Sequence, residues 1–401
     1  MDIDRLLYRY LEIVESDENK KNAKYWGNAG EWHLIERWRG RPAVPQRSYG
    51  APRSALPAAP FTMALDIGGY ARVLGIDTGK YYSDPETALR EQLRYAIWEH
   101  DNLKGHRYFE KAVFVPVGCT LDAPMFGVPV QYPEGEAPWF DERNNIIKGR
   151  EDLLRMPPFD FNKSGRLPYI TAAYEKMCGL VSGTGIKAMY PVAAASPFTV
   201  AIFLRGFENI LVDMHEDPDF FHEIMAAIVG RQKEFFNARM EYLGERELPK
   251  AYFGNDNIGT PTLSPASYRE MVLPYEIEMA EFQGGARYWH SCGDTTAFYG
   301  DIAAIPGLKL MHIGPWSDVQ KAAGVFGPLG IPLEICVNSV RDMYEKGEGE
   351  MRAQLEAIKA ACDGRACYQV RCDGISVLDT VERCLEKVAQ WGRAAEAVFP
   401  G

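Results

Sequence analysis

Three kinds of pattern are missing from this 401-residue chain, and each absence excludes a class of protein. No Cys-x-x-Cys pair occurs among the eight cysteines, so the four-ligand spacing of a zinc finger is absent. No run of 18 apolar residues is present, so no membrane-spanning helix is predicted. The net charge of -11 argues against nucleic acid or an anionic membrane as a partner. The charged first residues lack an apolar signal core, and we therefore expect a cytoplasmic protein.

Alternating apolar runs and helical patterns organise the second half of the chain. The apolar runs lie at 187–193, 250–254, 287–291, 308–313, 331–336 and 366–371. Helical patterns lie at 198–214, 217–242, 264–282, 317–325, 339–362 and 376–398. Such alternation predicts parallel strands with right-handed crossovers. With room for two more units upstream, we predict an α/β protein with a (β/α)8 TIM barrel over 61–401.

The first 60 residues differ from this pattern. An amphipathic helix at 3–14 is followed by three tryptophans among charges and a proline-rich passage at 42–60. We interpret 1–60 as an irregular, partly helical arm or cap. Between the arm and the regular part, the sequence predicts a helix at 85–103 and a hairpin at 114–130.

The segment His290-Ser-Cys292 carries the strongest chemical signal. On a strand, residues i and i+2 point to the same face, so both side chains can bind one ion, and thiolate with imidazole suits Zn²⁺. Active sites of parallel barrels lie at the carboxyl ends of the strands. Cys372 ends a predicted strand whereas Cys367 begins it, so Cys372 is predicted to complete the set, with Cys336 as the alternative. Three protein ligands would leave an open position, as in catalytic zinc sites.

Other candidate residues also lie near predicted strand ends. Asp256 follows the run 250–254 and Glu334 lies near the end of 331–336, so both are candidate acids, with structural hydrogen bonding as the alternative. Aromatic side chains near strand ends, Phe253 and Trp289 among them, would suit an aromatic substrate. Candidates for substrate binding are Tyr252, Asn257, His312 and Trp316.

Two segments resemble a known family. The segment beginning Ser196-Pro-Phe-Thr and the helix Leu263-Ser-Pro-Ala-Ser-Tyr-Arg-Glu-Met-Val-Leu-Pro-Tyr resemble the uroporphyrinogen decarboxylase superfamily, whose fold is a single (β/α)8 barrel. The resemblance extends from about residue 165 to the end and more loosely from 65. His290, Cys292 and Cys372 resemble the His-x-Cys and distant Cys zinc set of its cobalamin-linked methyltransferase branch.

This resemblance implies an enzyme with two cofactors. It implies a bound Zn²⁺ and a cobalamin supplied by a separate corrinoid protein, since the chain has no Asp-x-His-x-x-Gly motif of its own. The expected reaction is O-demethylation, in which a methyl group passes from a small methoxylated, aromatic donor to Co(I). One alternative is corrinoid-to-thiol transfer of the coenzyme M type. Another is a metal-free uroporphyrinogen-type decarboxylase, whose arginine motif we do not find. A homodimer is compatible with this family.

Overall fold

Eight parallel strands form the centre of the protein. The computed structural model describes residues 2–22, 59–140, 144–193 and 195–400. The strands are β1 Phe61–Leu65, β2 Ala112–Phe114, β3 Lys187–Met189, β4 Ala251–Gly254, β5 Ala286–His290, β6 Met311–Ile313, β7 Leu333–Cys336 and β8 Tyr368–Ile375. One sheet runs in the order β1-β8-β7-β6-β5-β4, β2 pairs with β3, and Ala195 after β3 bridges to Gly254 in β4. The predicted (β/α)8 barrel is confirmed.

Helices cover the outside of the strands. In the part of the chain before β4 they are Ile3–Val14, Ile67–Leu74, Thr78–Ser83, Pro85–Asn102, Arg150–Leu154, Leu167–Leu180, Pro197–Arg205, Phe207–Glu216 and Pro218–Leu243. After β4 they are Pro265–Ser267 continuing into Tyr268–Val272 and Leu273–Phe282, then Tyr299–Ile302, Val319–Phe326, Ser339–Tyr344, Glu348–Cys362 and Val381–Val398. Short 3-10 turns lie at Ala123–Phe126 and Thr296–Phe298. Side-chain caps start several of them: Ser196 accepts from the Thr199 amide, and Asp84 accepts from the Thr87 amide.

Three local predictions need correction. The helix predicted at 198–214 is two helices, because Gly206 adopts φ 97°, a left-handed region that favours glycine. The helix predicted at 339–362 divides before Glu348. No hairpin forms at 114–130: Phe114 ends the parallel strand β2, and the antiparallel pair is Val130–Gln131 with Trp139–Phe140. The positions of the prolines in this segment do not specify which strands pair, so the partner of β2 could not be deduced from them.

The first helix belongs to the main core. Ile3–Val14 packs against Pro85–Asn102. Its buried side chains, which share the barrel's hydrophobic core, are Leu6, Leu7, Tyr10, Ile13 and Val14. Strand β1 begins at Phe61, close to the predicted end of the arm at residue 60. The tryptophans and most of the proline-rich passage fall in 23–58, outside the described residues. Within the described ranges, no helix is both long and apolar enough to cross a membrane.

We predict that Ile13→Ala will destabilise the whole barrel. Ile13 is 1% exposed, and truncating a buried isoleucine costs about 2–5 kcal/mol. The urea midpoint of the main unfolding transition should fall accordingly. Tyr8→Ala is the matched control on the same helix, because Tyr8 is 68% exposed, and it should change stability by less than about 0.5 kcal/mol. An unchanged main transition in Ile13→Ala would show that this helix folds independently of the barrel.

Candidate metal centre at the barrel rim

Strand pairing brings two chain segments together at the carboxyl end of the barrel. Gly254 in β4 pairs with His290 in β5, and the Asn255 amide donates to the His290 carbonyl over 2.8 Å. The turn that follows β4 therefore lies against the end of β5. As a result Asp256 stands beside His290 and Cys292.

Three potential ligand atoms form a nearly equilateral triangle. The Cys292 Sγ and His290 Nε2 atoms are 3.4 Å apart, and Asp256 Oδ1 is 3.6 Å from each of them. Ligands of a tetrahedral zinc ion, bound at 2.0–2.3 Å, are separated by roughly 3.3–3.8 Å. Asp256 and Cys292 are exposed, so the triangle opens at the barrel mouth. The described residues thus fit one zinc ion with a position left open.

The electrostatics of the triangle favour positive charge. Burial alone would lower the pKa of His290, but its hydrogen bonds with Asp256 and Cys292 raise the pKa to about 10. The hydrogen bond from His290 in turn lowers the pKa of Asp256. In the ion-free protein an imidazolium therefore supplies the charge that a bound cation would replace. Metal binding there would release a proton, since a ligating imidazole must be neutral.

The structure does not bring Cys372 to this group, which corrects the predicted zinc set. Strand β8 runs on to Ile375, so Cys372 lies within the strand and not at its end. Its neighbours Arg371 and Asp373 form an ion pair on the interior side. Cys372 therefore points to the opposite face, where it is fully buried and its Sγ lies 3.9 Å from Met343 Sδ. Asp256, predicted as an acid, takes the third position of the triangle.

Glu334 lies beneath the metal centre and is held by three side chains. Its carboxylate is completely buried and accepts hydrogen bonds from the Tyr288 hydroxyl and, over 2.6 Å, from Gln369 Nε2. Arg371 forms an ion pair with it at 2.6 Å. These contacts fix the position of the Glu334 carboxylate.

His312 and Cys336 lie next to the triangle. The His290 and His312 rings are 4.1 Å apart at their centroids. Burial lowers the pKa of His312 well below its usual value, and the charges of His290 and Arg371 act in the same direction. The ligand atoms of His312, Glu334 and Cys336 lie within 4.8 Å of one another. His312 is thus a neutral side chain that lines the metal centre.

The predicted aromatic residues do not form one wall. Tyr252 packs against Tyr288 inside the barrel, with ring centroids 4.8 Å apart and ring planes inclined by 39°. Trp316 is 53% exposed and lies under the guanidinium of Arg341. Phe253 and Trp289 are fully buried, and Trp289 faces the helix side, where its indole donates to Glu276. Asn257 is half-buried in the turn beside Asp256.

A buried network behind the turn was not predicted. The Asn255 Nδ2 atom donates to Glu276 Oε1 over 2.6 Å, and Asn255 Oδ1 accepts from the Ser196 hydroxyl. Glu276 also accepts from Tyr268 at 2.5 Å and from Trp289 at 3.1 Å. The network holds the backbone that carries Asp256. Glu276 lies on the same helix face as the buried Leu273, Met279 and Ala280, and a charged residue on this apolar stripe was the available sequence signal.

A cavity of about 320 Å³ lies elsewhere, between β1, β2 and the helix Pro85–Asn102. Its lining includes Tyr10, Tyr70, Tyr81, Tyr82, Tyr95 and Tyr108. Neither the triangle nor any of the four residues predicted to bind substrate contributes to this lining. We therefore assign the chemistry to the rim and not to the cavity.

Substitution of Asp256 should remove the metal at the rim, whereas substitution of Cys372 should not. In Asp256→Asn the shape is kept, but the anionic ligand is lost, and we expect zinc affinity to fall by at least about 100-fold. Cys372→Ala should retain the zinc content of the wild type after gel filtration, measured by inductively coupled plasma mass spectrometry. Zinc that survives in Asp256→Asn and disappears in Cys372→Ala would restore the set predicted from sequence.

Glu276 should make stability depend on pH. Burial raises the pKa of Glu276 to about 7, against 4.5 for the exposed group. The native protein therefore binds this proton more tightly than the unfolded chain, and the stabilisation present at low pH is lost as pH rises through 7. Between about pH 5 and pH 8, the wild type should lose up to about 3 kcal/mol relative to Glu276→Gln in urea unfolding. Glu278 is exposed on the same helix, so Glu278→Gln should show the same pH dependence of the unfolding free energy as the wild type. If Glu276→Gln also showed the wild-type pH dependence, the raised pKa of Glu276 would be contradicted.

Comparison with a solved structure bears out the fold. The chain aligns with a methyltransferase from Methanosarcina mazei with a TM-score of 0.60 and 18% sequence identity, covering 86% of this chain and 96% of that one. At this low identity, the similarity supports a conclusion about the fold alone.

Comparison with curated proteins gives a shorter match. The chain is 24% identical over 183 residues to a methylated-thiol–coenzyme M methyltransferase of Methanosarcina mazei. That match covers 44% of this chain, and it spans slightly less than half, 45%, of the relative. Residues 103–337, more than half of the chain, match the model of the uroporphyrinogen decarboxylase (URO-D) family. The protein therefore belongs to the uroporphyrinogen decarboxylase family.

Proposed function

We propose that the protein is a zinc-dependent methyltransferase that works with a corrinoid protein. The observation that carries the proposal is the triangle of Asp256, His290 and Cys292, whose 3.4–3.6 Å edges suit a tetrahedral ion with an open position. Its fold neighbour is described as a methyltransferase. In its finer form, the proposed reaction is O-demethylation of a methoxylated, aromatic donor.

The charges of the ligands suit this chemistry. A thiolate at Cys292, a carboxylate at Asp256 and a neutral imidazole at His290 balance the two charges of Zn²⁺. Bound zinc would supply a Lewis acid for an ether oxygen or a thiol sulfur. A corrinoid carrier would supply the nucleophile that accepts the methyl group, and the ether oxygen would leave as phenolate with the bonding pair of the broken C–O bond, beside the zinc that Asp256, His290 and Cys292 would hold.

The arrangement of the rim supports the approach of a separate cofactor. Cys292 and Asp256 are exposed at the carboxyl end of the barrel, where a carrier protein could present a corrinoid face. Glu334 is held by Arg371 and Gln369 below the rim. We therefore propose that the leaving phenolate needs no proton from Glu334, and that Asp256 acts as a ligand and not as an acid.

The thiol reaction is the second candidate. It is supported by the printed name of the curated relative, which is a methylated-thiol–coenzyme M methyltransferase. A sulfonated thiol would need a cationic partner. Among the described residues, Arg371 is paired with Glu334 and Asp373, and Arg287 lies over the Tyr252 ring. The engagement of both guanidinium groups supports the uncharged methoxyaromatic donor over the sulfonated thiol.

Methyl transfer with free cobalamin tests both directions. With cob(I)alamin and 2-methoxyphenol, we expect the spectrum of methylcob(III)alamin to appear, and Cys292→Ala should slow this by at least about 100-fold because a zinc ligand is lost. Cys372→Ala is the matched control and should keep the wild-type rate. With methylcobalamin and coenzyme M, we expect little cob(I)alamin.

Three other outcomes would each contradict a different part of the proposal. Rapid thiol methylation, without reaction of any methoxyarene tested, would reverse the direction and leave the zinc chemistry intact. Demethylation in the absence of cobalamin would contradict the proposed requirement for a corrinoid partner. Decarboxylation of uroporphyrinogen by the zinc-free protein would favour the metal-free alternative.

A further inference from the structure

A second group of potential ligands lies inside the barrel, next to the rim triangle. It consists of His312 on β6 with Glu334 and Cys336 on β7. One ligand atom of each residue lies within 4.8 Å of the others. His312 contacts His290 ring to ring at 4.1 Å, so the two groups share a wall without sharing a ligand. The proposed methyl transfer uses only the rim triangle.

Two buried polar atoms at this group have no hydrogen-bond partner. They are His312 Nδ1 and Gln369 Oε1, and their residues are 4% and 0% exposed. Leaving a buried polar atom unsatisfied costs about 1–3 kcal/mol, and such atoms point to a missing ligand, water or ion. They lie on strands that flank Glu334, since Gln369 on β8 donates to Glu334 Oε2 over 2.6 Å.

The orientation of Gln369 makes its free atom an acceptor. An amide oxygen and nitrogen can be exchanged in a structure, but only the nitrogen can donate to the Glu334 carboxylate. The oxygen must therefore be the atom that is left without a partner. An oxygen lone pair that is buried beside a carboxylate is satisfied by a cation or by a donor from water.

The donor set favours the cation. Glu334 offers carboxylate oxygens, Gln369 offers its amide oxygen, and Cys336 Sγ lies 4.0 Å from Asp373 Oδ1. A divalent cation bound among these oxygens would stabilise a thiolate at Cys336. The ligand types, one thiolate, one imidazole and two oxygens, suit Zn²⁺ and its neighbours among the transition metals.

We propose that His312, Glu334, Cys336 and Gln369 form a second binding site for a divalent transition metal, so that the barrel holds two ions side by side. Each ion has its own cysteine, Cys292 at the rim and Cys336 in the interior. The interior ion would replace the water that the unsatisfied atoms otherwise require. Two-metal centres built on one scaffold are common in enzymes, and the contact between His290 and His312 is where the two sites adjoin.

Cobalt titration of the metal-free protein tests the proposal. After removal of metal with a chelator, Co²⁺ should bind with two equivalents per chain, and each should give a thiolate-to-cobalt absorption band because each site has one cysteine. Cys336→Ser should lose one equivalent and about half of the band, Cys292→Ser should lose the other half, and the double variant should lose both. Cys372→Ala, on the opposite face of β8, is the control and should keep two equivalents.

A second variant distinguishes loss of the interior metal site from a folding defect in Cys336→Ser. Gln369→Met keeps the volume of the side chain and removes only its amide, so the weaker of the two cobalt affinities should fall by about 10-fold or more. Far-ultraviolet circular dichroism of each variant should match the wild type. The affinity of the rim site should be unchanged in Gln369→Met.

The possible outcomes separate the two sites. A single equivalent, lost in Cys292→Ser and unaffected by Cys336→Ser and Gln369→Met, would overturn the second site and leave water as the partner of the buried atoms. A single equivalent that is lost only in Cys336→Ser would support the interior site and contradict the rim site. Two equivalents with bands insensitive to Cys336→Ser would also overturn the proposal.

Discussion

The hydrogen bond from the Asn255 amide to the His290 carbonyl is the contact on which the triangle of Asp256, His290 and Cys292 depends. It extends the pairing of β4 and β5 by one residue beyond the strands, and so sets the height of Asp256 relative to His290. The side chain of Asn255 points to the helix side, where it contacts Glu276 and Ser196. The next residue, Asp256, begins the turn and is exposed at the rim. One residue thus joins a helix, a loop and two strands behind the site.

The barrel interior beneath the rim is unusually polar. Barrel interiors are ordinarily filled by layers of branched apolar side chains. Here Glu334, Arg371 and Gln369 lie where such a layer would be, with Tyr288 donating to the same carboxylate. Removing charges from water is costly, and even a well-paired buried ion pair seldom improves stability over an apolar layer. The presence of this polar layer is more readily explained by the chemistry that we propose at the rim and in the interior than by a contribution to stability.

The rim triangle shows which spatial neighbours a sequence pattern can predict. His290 and Cys292 were predicted together because a two-residue spacing places them on one face whatever the register of the strand. Cys372 was chosen because it ended a predicted strand, but β8 continues to Ile375, and position along a strand does not determine the face. The alternation of polar Gln369, Arg371 and Asp373 with Val370 and Cys372 was the available signal. It shows that the polar residues share the interior and that Cys372 faces the helices.

The sequence by itself determined the barrel, because the repeated alternation of apolar runs and helical patterns permits few other arrangements, and it placed two residues of the rim triangle together. Only the tertiary structure decided that Asp256 joins them. Asp256 is 34 positions from His290 along the chain, and the registry that joins them depends on hydrogen bonds between β4 and β5, which no local pattern specifies. The same holds for the interior group of His312, Glu334 and Gln369, whose members meet because three adjacent strands turn the same face to the barrel axis.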